Sequence, residues 1–227
     1  MRFRLLICCV CFISLVYSAN VNDSLKISEE YKRAYIDNKK NLPKRISEFQ
    51  KLIIKANEVG LSQNWIQDKL IYRLAQDYSR IGDFDRAIEI NSSLTQHFDS
   101  IGDYESWVWC YADLATYYNN QSKHREVKLA YEKGLQIALE NQISDRLIDL
   151  YDGLASVSID LNELLSAKRY IALTDKRLSF YLERDKKEVE TYFNITKAKY
   201  YLALKDDEKS EKYYRDAIAR AVSYKHI

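Results

Sequence analysis

Apolar residues recur at three- and four-residue spacing along most of the chain. Two strings with this spacing are Ile71, Leu74, Ala75, Tyr78 and Ile148, Tyr151, Leu154, Ala155. Side chains at this spacing lie on one face of an α-helix. The pattern therefore predicts amphipathic helices, each of which needs a neighbouring helix to cover its apolar face.

The apolar pattern repeats with a period of forty residues. Leu74-Ala75, Leu114-Ala115 and Leu154-Ala155 stand at the same place in three successive units, and a fourth unit with Ala198 and Ala217 follows after a slightly longer interval. A small residue at a fixed position lets adjacent helices approach closely. Because a single helix pair cannot bury such faces, the repeat predicts stacked pairs.

Turn signals separate the predicted helices. Ile81-Gly82-Asp83 and Ile101-Gly102-Asp103 each combine a glycine that ends one helix with an aspartate that can cap the next. Ahead of the repeats, residues 23–40 and 42–59 are two further predicted helices, and Pro43 suits the first turn of the second. The sequence thus predicts ten helices in five pairs.

This spacing resembles the tetratricopeptide repeat (TPR) family. The first unit fits the family pattern most closely, with Ile71, Leu74, Ala75, Tyr78, Gly82, Phe84 and Ala87. The period exceeds the usual 34 residues and looks like the long-period arrays of bacterial regulators. The resemblance implies an all-α fold, a right-handed solenoid of antiparallel helix pairs (a TPR-like superhelix). It assigns four TPR-like pairs to residues 64–227, preceded by a degenerate pair in residues 19–63.

The composition agrees with a helical array. The 227 residues include 5 Gly and 1 Pro, too few for the turn-rich connections of sandwiches and barrels. At 47% hydrophobic residues the chain can bury a core, which argues against wholesale disorder.

The N-terminus has the three parts of a secretory signal peptide. Met1-Arg2-Phe3-Arg4 is basic, residues 5–17 are apolar, and small residues follow at Ser18-Ala19. We interpret residues 1–18 as a signal peptide that is cleaved after Ser18 or Ala19, so that the protein is periplasmic or extracellular. The apolar run is short for a spanning helix, although an uncleaved anchor is the alternative.

Removal of the signal peptide changes charge and cysteine content. Loss of Arg2 and Arg4 takes the net charge from +2 to zero, and a neutral chain lacks the electrostatic footprint of a nucleic-acid or anionic-membrane partner. No membrane insertion is expected after cleavage. Of the 4 cysteines only Cys110 remains, and its apolar surroundings predict a buried side chain.

No catalytic or metal-binding motif is present in the sequence. His97, His124 and His226 share no ligand spacing, and the glycines are too scattered for a phosphate-binding loop. We therefore expect no enzyme activity, no cofactor and no metal. The 19 tyrosines could suggest a stacking platform, but Tyr78, Tyr118 and Tyr201 occupy the repeat's own core position.

Family geometry implies a binding site for a protein or peptide on the concave face, lined by the first helix of each pair. The positions it nominates are Lys69, Tyr72, Gln76, Arg80, Trp109, Thr116, Asn119, Asn120, Asp149, Asp152, Ser156, Asp160, Tyr192 and Lys199. The basic residues of the first unit and the aspartates of the third could orient an extended peptide, with its acidic part toward the first unit.

Two further expectations concern the whole chain. We interpret the chain as an exported scaffold for a protein or peptide partner. The alternative is that it is the sensor portion of a truncated histidine kinase or transcriptional regulator.

The last helix, with Tyr214, Ile218 and Val222, has a broad apolar side, which predicts self-association of the chain through the C-terminal helix pair.

Overall fold

The protein is described from a computed structural model that covers residues 22–180 and 183–225, with side chains described in 22–180 and 189–222. The predicted signal peptide, residues 1–18, lies outside the described residues. Ten helices are present in this part of the chain: α1 (22–37), α2 (Leu42–Glu58), α3 (63–80), α4 (Phe84–Ile101), α5 (Tyr104–Asn120), α6 (His124–Glu140), α7 (Leu147–Asp160), α8 (Leu164–Leu178), α9 (Glu183–Ala203) and α10 (Asp207–Lys225).

The predicted all-α fold of ten helices packed in consecutive pairs is confirmed, and the described residues contain no strand. One detail differs from a regular α-helical pattern. Residues Ile66–Ile71 of α3 form a wider π-helical stretch between α-helical segments. None of the described helices is both long and apolar enough to cross a membrane.

The turns between helices share one hydrogen-bonding pattern. The amide of Asp83 donates to the carbonyl of Tyr78, and Gly82 takes a left-handed φ of 84°. This is the Schellman motif, in which a left-handed residue ends the helix. Ser122, Asn162 and Lys205 take the same left-handed conformation without being glycine, with φ between 56° and 60°. The later turns therefore keep their geometry although their glycines are lost.

Helix starts follow the predicted capping residues. The side chain of Asp103 accepts a hydrogen bond from the amide of Ser106 at 3.1 Å, and Asn41 accepts one from Lys44 at 3.2 Å. Each bond satisfies an amide that the first turn of a helix leaves without a partner. Pro43 lies in the first turn of α2, as predicted.

The chain divides into two compact units, Met1–Leu94 and Thr95–Ile227, which are called the N-terminal and C-terminal units below. In the N-terminal unit, Phe49 and Leu70 are fully buried, and the ring of Tyr31 stacks on Phe49. Between α2 and α3, the guanidinium of Arg45 binds both carboxylate oxygens of Asp77, at 2.5 and 2.6 Å. Both side chains are 2% exposed, so this ion pair is entirely internal.

The C-terminal unit packs α5, α6 and α7 around one apolar cluster. Val108, Ile137 and Leu150 come from these three helices and are buried together. Gly134 allows the close approach, because a Cβ atom there would lie 3.2 Å from Leu150 Cδ2. Cys110 is fully buried in this unit, as its apolar surroundings predicted.

The C-terminal helix pair carries the predicted apolar side. On α10, Ile218 is 64% exposed and Val222 is 53% exposed, and Leu202 of α9 is also exposed. Tyr214 is 36% exposed. Self-association through this pair stays a prediction.

The buried ion pair yields the first testable prediction. Replacing Asp77 by Asn leaves the Arg45 guanidinium buried without its anion, whose hydrogen bond raises the pKa of Arg45. We expect the free energy of unfolding to fall by about 3–5 kcal/mol, measured by urea denaturation.

Two control variants separate this loss from a general effect of removing charge. Arg215→Ala removes an exposed pair with Glu211 and should cost at most about 0.5 kcal/mol. The double variant Arg45→Met, Asp77→Leu leaves no unpaired charge and should cost less than Asp77→Asn. A cost below about 1 kcal/mol for Asp77→Asn would contradict the assigned role of the pair.

Candidate functional site

A tyrosine ring between two helices forms the floor of the candidate site. Tyr131 of α6 lies against Gly153 of α7 so closely that a Cβ atom at residue 153 would be 2.4 Å from Tyr131 Cζ. Only glycine leaves room for the ring here. The Tyr131 hydroxyl hydrogen-bonds with Thr116 of α5.

Carboxylates surround that hydroxyl. Asp113 of α5 and both Asp149 and Asp152 of α7 act electrostatically on it, and together with burial, the largest cause, they raise the pKa of Tyr131 to about 12. We call this group, completed by Thr116 and by Thr196 of α9, the acidic recess. It brings α5, α6, α7 and α9 to one place within the C-terminal unit.

Asp152 is a half-buried carboxylate of the acidic recess. Its Oδ1 atom is buried and has no hydrogen-bond partner among the described residues. Burial raises the pKa of Asp152 to about 6, and the negative charge of Asp149 adds to this rise. A hydrogen bond with Thr196 and the charges of Lys199 and Lys197 act in the opposite direction.

The cations near the acidic recess are largely held by other groups. Arg146 donates to Asp149 Oδ2 at 2.5 Å, and its guanidinium lies over the ring of Trp109. Lys197 donates to Asp175 at 2.6 Å and lies over the Phe193 ring. Asp149 therefore has a cation beside it, whereas Asp152 has none in direct contact among the described side chains.

Two exposed aromatic residues lie one helical turn from the acidic recess. Trp109 precedes Asp113 by four residues on α5, and Tyr192 precedes Thr196 by four residues on α9. The two rings are 42% and 62% exposed. Residues four apart are neighbours on a helix surface, so each aromatic ring borders a residue of the recess.

The structure separates the three aspartates nominated on α7. Asp149 is exposed and paired, and Asp152 is recessed. Asp160 lies eight residues further on, about 12 Å along the axis, with its Oδ2 atom 3.9 Å from Nδ1 of His124. They do not form one continuous strip. Ser156 is half-buried between Asp152 and Asp160.

The other nominated residues lie on the first helices of both units. In the N-terminal unit, Lys69 is exposed, Tyr72 is half-buried, Gln76 accepts from Arg73 at 2.8 Å, and Arg80 donates to Asp77 at 3.4 Å. In the C-terminal unit, Asn119 and Asn120 are exposed at the end of α5, Thr116 is exposed one turn earlier, and Lys199 is half-buried on α9.

Three residues of the acidic recess were missed in the sequence. Asp113 stands beside the Leu114-Ala115 mark but was not nominated, and neither was Thr196. Tyr131 belongs to a second helix, which the family geometry does not place on the binding face. The one signal that could have found it is the pair of a large residue on one helix and Gly153 on the next.

The tyrosines considered as possible stacking residues pack within the protein. Tyr78 is 5% exposed, as its assignment to the core predicted. Tyr201 is half-buried and stacks on Tyr213 with ring centroids 5.5 Å apart. No group of His, Cys, Asp and Glu in the described part of the chain could hold a metal ion. Asn91 and Asn194, each the first residue of an Asn-x-Ser/Thr sequence that could be glycosylated, are buried.

Comparisons with solved structures bear on the fold. A kinesin light chain protein of Podosopora anserina with nearly identical TPR-like repeats superposes with a TM-score of 0.67 at 12% identity, over 89% of this chain and 97% of the other. BtubC (BKLC) of P. vanneervenii gives a TM-score of 0.64 at 16% identity, over 93% of both chains. The fold is that of TPR-like repeat proteins.

A third TPR-like structure is a regulator solved with a peptide. The Rap conjugation gene regulator of plasmid pLS20, in complex with the Phr* peptide, gives a TM-score of 0.68 at 14% identity. The likeness covers 90% of this chain and 55% of the Rap chain. No protein-family model matches the sequence, and no curated protein matches it significantly.

The buried carboxylate generates a prediction about pH. Because the pKa of Asp152 is raised in the folded chain above its ordinary value of 3.8, the contribution of this group to stability is greatest below pH 4 and is lost as the pH rises through 6. Asp152→Asn removes this dependence and should raise the free energy of unfolding at pH 8 by up to about 3 kcal/mol.

Urea denaturation of both proteins at pH 4.5 and pH 8 measures the effect. The gain should be small at pH 4.5, where Asp152 is already protonated. Asp149→Asn is the matched control, because that carboxylate is 48% exposed and paired with Arg146. An equal effect of Asp152→Asn at both pH values would contradict the buried-carboxylate assignment.

The contact between Tyr131 and Gly153 generates a prediction about packing. Gly153→Ala places a methyl group inside the Tyr131 ring, so we expect a loss of about 1–3 kcal/mol although alanine favours the helix. In a Tyr131→Leu background the ring is absent, and the same substitution should be neutral or stabilising. The double-mutant cycle is measured by urea denaturation, and additive effects would refute the contact.

Proposed function

We propose that the protein is an exported scaffold that binds an extended segment of a protein or peptide partner along the first helices of its C-terminal unit. The observation that carries this proposal is the acidic recess, bordered by the exposed rings of Trp109 and Tyr192. Exposed aromatic side chains beside a group of polar side chains are typical of a recognition surface.

The comparisons support the class of function. TPR-like arrays of this kind present several parallel helices to one ligand, and the Rap regulator with a similar fold is solved with a peptide. The part of the chain that the structure describes contains no cluster of metal-ligand residues, and the acidic recess lacks a nucleophile paired with a base. A binding role explains the site without a chemical step.

Export is a separate part of the proposal and rests on the first 18 residues. A basic start, a short apolar run and small residues are typical of a cleaved signal peptide. The partner is then a periplasmic or extracellular protein or peptide. A chain that works as the sensor portion of a longer signalling protein would use the same surface.

Site-specific photo-crosslinking tests the proposal. We would place p-benzoylphenylalanine at Trp109 or Tyr192 in the full chain, expressed in its host, and irradiate intact cells. The controls are Leu129 of α6 and Leu165 of α8, which are 65% and 88% exposed on second helices. Cell fractionation then gives the compartment that holds the crosslinked species, and mass spectrometry identifies them.

We expect one partner to crosslink at Trp109 and Tyr192 and not at the two leucine positions. The crosslinked chain should lack residues 1–18 and fractionate with the envelope or the medium. Crosslinks concentrated at Leu129 and Leu165 would contradict the assignment of the first helices as the binding surface. A crosslinked chain in the cytosol with an intact Met1 would contradict export.

A further inference from the structure

We propose that the exposed apolar side of α10 pairs with the same side of α10 in a second copy of the chain, antiparallel and about a two-fold axis. This side consists of Tyr214, Ile218, Ala221 and Val222, all of them exposed, and we call it the end stripe. The dimer contact is independent of the proposed function, because the proposed binding surface lies on first helices whereas α10 is a second helix.

The internal repeat shows which positions of a second helix contact the next helix pair. The left-handed residues Ser122, Asn162 and Lys205 occupy the same turn in the last three pairs, so counting from them aligns α6, α8 and α10. The positions nine and sixteen residues after each turn residue are Tyr131 and Ala138 on α6, Ile171 and Leu178 on α8, and Tyr214 and Ala221 on α10.

In the two preceding pairs these positions are covered by the first helix of the next pair. The ring of Tyr131 lies against α7, and Ala138 is fully buried in the cluster that α5, α6 and α7 form. On α8, Ile171 and Leu178 pack in a cluster with Phe193 of α9. Both second helices therefore use these positions to bind another helix.

On α10 the equivalent positions are exposed. Ala221 is exposed, where Ala138 is fully buried. Ile218 is 64% exposed, whereas Leu135, its equivalent on α6, is half-buried against the cluster of α5, α6 and α7. Val222 extends the same side and is 53% exposed. No described residue covers the end stripe, although it keeps apolar side chains at the positions that bind a helix in the two pairs before it.

The spacing of the end stripe matches a second copy of itself. In the described part of the chain, α10 is the one helix with three large exposed apolar side chains at successive four-residue intervals, Tyr214, Ile218 and Val222. This spacing is symmetric about Ile218, so an antiparallel second copy places Ile218 on Ile218 and the Tyr214 ring on the smaller Val222. A surface that is complementary to itself forms a closed two-fold dimer.

The charges beside the end stripe permit this pairing. Arg215 borders the stripe and is already paired with Glu211 of the same helix. In the antiparallel arrangement, Arg215 comes beside the uncharged Ala221 of the second copy. The contact therefore brings no like charges together between Tyr214 and Val222, where they would oppose association.

The N-terminal helix of a second copy is a poorer match, which argues against head-to-tail stacking. On α1, Leu25 and Ile36 are exposed, but the exposed Glu29 and Lys32 lie between them on the same face. Stacking α1 on the end stripe would bury these charged side chains against apolar ones, which is costly. Head-to-tail contacts of this kind also repeat without closing and generate filaments.

Sedimentation velocity of the purified protein measures the association. The end stripe is narrower than a standard protein–protein interface, so we expect a monomer–dimer equilibrium with a Kd on the order of 10 μM. The concentration series runs from about 1 to about 500 μM, on both sides of that Kd. A protein that stays monomeric throughout overturns the proposal, and so does growth into species larger than a dimer.

A substitution at the two-fold axis locates the contact. Ile218→Lys places two positive charges against each other in the dimer, so the Kd should rise at least about tenfold. Leu165→Lys is the matched control, because Leu165 is 88% exposed on another second helix of the same unit, and it should leave the Kd within about twofold. Far-UV circular dichroism and urea denaturation check that both variants stay folded. Equal effects of the two substitutions overturn the proposal.

A charge-swap mixture tests the two-fold geometry itself. Ile218→Glu alone should dissociate like Ile218→Lys, but an equimolar mixture of the two variants should associate again, because residue 218 of one copy then meets the opposite charge in the other. A head-to-tail contact pairs residue 218 with a different residue, so mixing does not restore it. A mixture that remains monomeric at about 500 μM contradicts the antiparallel contact centred on Ile218.

Discussion

The contact between the ring of Tyr131 and the backbone of Gly153 determines the geometry of the acidic recess. The ring can cross α7 only because residue 153 has no side chain, and a Cβ atom there would lie 2.4 Å from Tyr131 Cζ. The Tyr131 hydroxyl hydrogen-bonds with Thr116 on a first helix, and Asp113, Asp149 and Asp152 act on it electrostatically.

The buried oxygen of the Asp152 carboxylate lowers the stability of the folded protein, and the packing of the neighbouring apolar cluster has to offset this loss. A carboxylate at Asp152, with one oxygen atom buried and lacking a partner, opposes the stability gained from the apolar cluster of α5, α6 and α7. In the N-terminal unit the opposite solution is found, because Arg45 neutralises Asp77 with both oxygens bound. The Arg45–Asp77 pair neutralises its buried charges internally, whereas Asp152 has a hydrogen bond with Thr196 and only the more distant charges of Lys197 and Lys199 to offset its burial.

Most of the fold was predictable because it depends on short-range patterns. The forty-residue period, the Leu-Ala mark at Leu74-Ala75 and its two repeats, and the capping role of Asp103 all follow from local spacing. The turn at Ser122 was harder, because its left-handed φ is imposed by the stacked helices rather than chosen by the residue. The π-helical stretch at Ile66–Ile71 left no signal in the apolar pattern.

The acidic recess was only partly predictable. Asp149 and Asp152 lie on a first helix, where the family geometry looks for binding residues, whereas Tyr131 reaches the recess through its contact with Gly153 on the next helix. The apolar spacing along a single helix does not reveal such a contact.

The most direct test of this account is an NMR titration of the aspartate side-chain carbons in the mature chain. The carboxyl carbon of Asp152 should titrate with a midpoint near pH 6, because burial disfavours its charge. A midpoint near 4 for Asp152 would contradict the buried carboxylate on which the acidic recess depends.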